Sequence, residues 1–141
     1  MAAVDAYEIG RFIFHVLKND STLLGYLDNG ALSIQPVYID GGALKNGIVY
    51  TLLNVDNENT KTTSRANLTR VVFRLEVFSE TFSNLQTISR RIGALLDKPA
   101  QGEYNGVDLQ SCIIETYDED FDEKNKLYYR DYRFNARIFK A

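Results

Sequence analysis

Asp118-Glu119-Asp120-Phe121-Asp122-Glu123 is the densest set of potential metal ligands in this chain. Carboxylates at the first, third and fifth positions are how an EF-hand calcium loop begins. That loop also needs glycine at position six for its sharp turn and a bidentate glutamate at position twelve. Glu123 and Tyr129 stand at those places, and the flanking segments read as strands. Specific calcium binding is not expected. The run reads as a solvated acidic loop, or as a charged surface that meets Arg or Lys on a neighbouring subunit.

Other chemistries fail in the same way. His15 is the only histidine and Cys112 the only cysteine, so His-pair metal sites and disulfides within the chain are excluded by count. Cys112 lies in the apolar run Cys112-Ile113-Ile114, where a buried, inert thiol is expected. Gly42 and Gly47 have phosphate-loop spacing, but Ile48-Val49 replaces the Lys-Ser/Thr that grips phosphate and metal. Glu76 and Glu115 are read on outward strand faces, and no residue triplet supports nucleophilic catalysis. The chain is therefore read as a non-enzyme with no cofactor and no metal.

Charge remains as the means of recognition. Arg70, Arg74 and Glu76 share one side of a strand pattern, and Asp131, Arg133, Asn135 and Arg137 share one side of another. Such mixed-sign ladders read either as ordinary solvated sheet or as an intersubunit face, where charge fixes register more than it adds affinity. Arg90 and Arg91, on a helix pattern, are expected to join that face. The polar segment from Asp56 to Asn67, with Asn57, Lys61 and Arg65, reads as a docking arm at a hairpin tip. These residues, with the acidic Asp118, Glu119, Asp120, Asp122 and Glu123, are the candidate contact sites.

The elements that must position them follow from periodicity. Ile9, Phe12, Ile13, Val16 and Leu17 make one apolar stripe of a helix, opened by an Asp5/Glu8 capping box. A shorter helix carries Leu23, Leu24 and Leu27. Strands are read at 34–39, at an edge because of Pro36, then at 48–55 and 69–78. A second long helix starts at Ser83, capped with Gln86, and ends before Pro99. Asn105-Gly106 signals a tight turn, and further strands run over 109–117 and 127–139. This order predicts an α+β fold: a mostly antiparallel sheet of about five strands with two main helices on one face.

The bulk properties agree with one soluble domain over residues 1–141. The 141 residues are 45% hydrophobic and 25% charged, with a net charge of −3. A sequence pI of about 5.2 argues against a protein whose task is gripping nucleic acid. No stretch approaches the ~20 apolar residues of a membrane span, and the N-terminus lacks a signal-peptide pattern, so folding in a cytosol is expected.

Arg74-Leu75-Glu76-Val77-Phe78-Ser79, followed by an amphipathic helix ending Leu95-Leu96-Asp97, resembles the tail-completion or tail-terminator proteins of long-tailed bacteriophages. Glu115-Thr116-Tyr117-Asp118-Glu119-Asp120 and Tyr128-Tyr129-Arg130-Asp131-Tyr132-Arg133-Phe134 are similar to that family too, as is the opening helix with its Leu-Leu segment. The resemblance covers about half the chain. It implies a small α+β virion subunit that forms a homo-oligomeric ring, usually a hexamer, on the last ring of the tail tube. Its implied partners are other copies of itself, the tail tube protein and the head or neck connector, with DNA only as passing cargo and no membrane. The implied place is the head-proximal end of the tail, assembled in a host cytoplasm. An acidic lumen formed by the 118–123 run belongs to the same picture. A head-completion or neck ring protein is the nearest alternative; a small bacterial ligand-binding or enzymatic domain is the alternative of another class.

Overall fold

The computed structural model describes residues 6–36, 45–58 and 68–139. Helix α1 (Ala6–Lys18) is followed by the single turn α2 (Ser21–Leu24) and a 3-10 turn, Gly30–Ser33. Strands β1 (Ile34–Pro36), β2 (Gly47–Glu58) and β3 (Leu68–Ser79) lead into helix α3 (Phe82–Leu96). Strands β4 (Gly102–Tyr104), β5 (Val107–Asp122) and β6 (Leu127–Phe139) complete the chain. The six strands form one sheet in the order β1-β2-β3-β6-β5-β4. Every neighbouring pair is antiparallel except β1 and β2.

The α+β class therefore holds, with six strands among the described residues where about five were expected. The additional strand is β4, three residues long and too short to carry a periodic signal. It pairs with β5 across the anticipated Asn105-Gly106 turn, where both residues take positive φ (52° and 85°), as a two-residue hairpin requires. β1 lies at the sheet edge as Pro36 suggested, and the part of that strand pattern beyond Pro36 falls outside the described residues. The Asp5/Glu8 capping box also falls outside what is described.

The apolar stripe of α1 (Ile9, Phe12, Ile13, Leu17) and that of α3 (Leu85, Ile88, Ile92, Leu96) are buried in one core with Val71, Phe73, Leu75 and Val77 of β3. Tyr132, Phe134, Ala136 and Ile138 of β6 face the same core. Phe73 and Phe134, opposite each other in the sheet, stack at 4.9 Å, and Phe12 meets Tyr104 edge-on at 5.2 Å. Gly47 is required where β2 begins, because a Cβ there would lie 2.7 Å from the Phe78 ring and 3.1 Å from the Ser33 carbonyl.

Two local readings need correction. The cap of α3 is Thr81, whose hydroxyl accepts the Asn84 amide at 3.2 Å, and not Ser83, which is already inside the helix. The acidic run is not a loop: Asp118 to Asp122 continue β5, and the turn lies at residues 123–126. Pairing with Leu127–Asp131 imposes this strand on residues of poor intrinsic β-propensity. Among the described residues, no helix is long and apolar enough to cross a membrane.

Candidate functional site

Strand alternation sends every second residue of β3, β6 and β5 away from the helices. Register then decides which of them meet. One row aligns Arg70, Arg137 and Ser111; the next aligns Val72, Asn135 and Ile113. Arg74, Arg133 and Thr116 follow, then Glu76, Asp131 and Asp118, and last Phe78, Tyr129 and Asp120. The four arginines thus fill one end of the face and the carboxylates the other. Along each strand the signs are mixed, as anticipated; across the sheet they are sorted into a basic pole and an acidic pole.

Like charges directly opposed on a sheet are unfavourable unless a diagonal partner offsets them. Arg74 is that partner. Its guanidinium spans Asp131 through Nε–H donating at 2.9 Å and Nη2 at 2.8 Å, and reaches Glu76 at 3.1 Å. The Asp131 hydrogen bond pushes the Arg74 pKa up, while burial pushes the Glu76 carboxyl up. Arg74, Arg133, Thr116, Asp118, Asp131 and Leu53 line an open depression of about 270 Å³ at the seam between the poles. Leu53 sits in the bulge of β2 and is 41% exposed.

The other candidates lie elsewhere. Glu119 points to the helix side of the sheet and pairs with Arg130 at 2.9 Å. Asp122 ends β5, accepting the Tyr129 hydroxyl at 2.9 Å and the Asn125 side-chain amide at 2.7 Å. Those two bonds hold the Asp122 carboxyl below the usual range, and Tyr129 is pushed up to about 12, by burial first and Asp122 second. Glu123 is exposed in the turn. Arg90 and Arg91 do not join the outward strands, because α3 packs on the opposite side of the sheet. Arg90 is exposed there, and Arg91 grips Asp20 through two bonds of 2.6 Å. Asn57 lies in β2, while Lys61 and Arg65 fall outside the described residues.

An aromatic cluster escaped the sequence reading. Near the N-terminus of α3, the helix side of β5 exposes Tyr117 (56%) and Phe121 (37%), and Phe82, the first residue of α3, is 42% exposed. Tyr128 touches both phenylalanines, at 4.7 and 5.7 Å between ring centres, and Arg130 lies 5.2 Å from the Tyr117 ring. The signal was present as the two-residue alternation Tyr117, Glu119, Phe121, hidden within the acidic run. Among the described residues, no cluster of His, Cys, Asp and Glu has metal-site geometry. Cys112 is fully buried, and burial, then Asp97, push its thiol pKa up.

No protein-family model and no curated protein sequence matches the chain. Among solved structures, a chain from the "Virion of native gene transfer agent (GTA) particle" is similar, with a TM-score of 0.69 and 14% identity. The match covers 95% of this chain and 98% of that one, so the two share a fold from end to end.

Proposed function

We propose that this chain is a structural, non-catalytic subunit of a phage-like particle, and more finely a tail terminator. In that role several copies, six by analogy with the family it resembles, join head-to-tail into a ring. The ring caps the tail tube at the head-proximal end and docks the tube to the neck. The end-to-end fold likeness to a virion protein is the observation that carries this reading. The sorted charges of the outward face support it, since head-to-tail rings need two different patches on each subunit. The arm containing Lys61 and Arg65 is proposed to reach a neighbouring subunit or the tube.

Light scattering and negative-stain imaging of the purified protein, alone and with tail tubes, test the proposal. Discrete rings, or rings formed only on tube ends, are expected. Rings that bind head connectors but ignore tube ends would shift the role to a neck protein. A monomer that never associates with either part would remove the structural role. Deleting Lys61 to Arg65 should leave cooperative unfolding intact and lower the yield of completed tails.

A further inference from the structure

The outer edge of β5 is covered over only part of its length. β4 pairs with it at Val107–Leu109. Just beyond, Lys98 N–H donates to the Cys112 carbonyl at 2.8 Å, and Asp97 accepts the Ile114 amide at 3.0 Å. From Thr116 to Asp122, no strand among the described residues lies beside β5. The backbone groups at that edge follow from alternation. Cys112 and Ile114 point theirs outward, so their β6 partners Ala136 and Phe134 point theirs toward β3. Tyr132, Arg130 and Tyr128 continue that alternation, so their partners Tyr117, Glu119 and Phe121 also turn N–H and C=O to the outer edge. On its helix side the same stretch exposes Tyr117 and Phe121, and on its other side it carries Asp118, Asp120 and Asp122.

We propose that this edge receives residues 59–67 of a second copy, the stretch between β2 and β3. This rests on the ring reading above and names the contact that joins neighbours. Charge and composition fit: the stretch contains Lys61, Arg65 and no carboxylate, and three of its nine residues are threonines, which suit strands. Lys61 and Arg65 are four residues apart, as Asp118 and Asp122 are, so an extended segment brings both cations to the acidic side together. Its alternate residues Thr62, Ser64 and Ala66 would then lie beside the Tyr117 and Phe121 rings.

Chain length requires the contact to come from another copy. Glu58, Leu68 and Phe139 share one row of the sheet. Asp118 lies in the row of Glu76, eight residues further along β3, or about 27 Å. The chain from Glu58 to Leu68, going out and back, reaches at most about 18 Å. Arm and edge therefore sit at opposite ends of the sheet, and they supply the two different patches of a head-to-tail ring.

A charge exchange in full-length protein tests the contact. One variant carries Lys61→Glu and Arg65→Glu; the other carries Asp118→Lys and Asp120→Lys, at exposed positions of β5. Each alone opposes like charges at every junction and should lose the rings that the parent forms. An equimolar mixture should regain them, because every arm then meets an edge of opposite charge when the two variants alternate. Circular dichroism checks the fold of each. Asp118→Asn with Asp120→Asn, which removes charge without reversing it, should lower the ring yield; an unchanged yield would count against the contact even if the lysine variant fails to fold. Rings at parental yield from either reversed variant alone, or no recovery on mixing two folded variants, would overturn the arm-to-edge contact and leave the ring reading standing. Absence of rings from the parent, with tail tubes present, would overturn both.

Discussion

The carboxylate of Asp20 accepts the Leu23 amide at 3.0 Å, capping α2, and takes both bonds from Arg91 of α3. The Arg91 hydrogen bond, the largest influence, lowers its pKa. A carboxyl whose folded pKa is depressed adds stability that is present above its unfolded pKa and is lost as pH falls through the folded value. Asp20→Asn keeps an N-cap but loses the charge pair. It should unfold at lower urea than the parent at pH 7, and the difference should close as the pH drops below the ordinary carboxylate range. The sequence reading sent Arg91 to the outward face of the sheet, whereas it lies on α3, on the other side. Helical spacing fixes the direction of a side chain relative to its own helix, not which neighbour waits there. Cys112 was legible, because an apolar run around a lone thiol implies burial. It should resist a thiol reagent in the native protein and react at once in denaturant.

At the scale of elements, the long periodic segments were readable and the short or atypical ones were not. β3 and β6 alternate cleanly, so their boundaries and faces follow from sequence. The lower half of β5 does not, since acidic residues occupy both of its faces and only tertiary pairing makes it a strand. The cap of α3 shows how two equivalent local signals can differ by position. Thr81→Ala should cost about 1 kcal/mol, the usual loss of an N-cap. Ser83→Ala should stay within about 0.5 kcal/mol, as surface changes do. Thermal unfolding of both variants would check this; a larger loss at Ser83 would reverse the assignment. Gly47→Ala should be worse than either, at about 1–3 kcal/mol, because Phe78 and the Ser33 carbonyl leave a methyl no room.

Over the whole molecule, the property that sequence could not supply is register. The outward charges were identified correctly one by one, but their sorting into two poles depends on which rows of β3, β6 and β5 align. A shift of two residues in one strand would intermix them. If the poles guide association, Arg133→Glu with Arg137→Glu should weaken ring formation, and raised salt should weaken it in the parent protein too. Sedimentation at two ionic strengths would measure both; equal behaviour of parent and variant would count against a role for the poles.

The contacts between the end of α3 and β5 have a consequence for how the molecule comes apart. Lys98 N–H donates to the Cys112 carbonyl and Asp97 accepts the Ile114 amide, so the chain leaving α3 is fastened to the middle of β5. The helix cannot lift from the sheet without loosening that strand. Helix and strand therefore open as one cooperative unit, and neither frays alone.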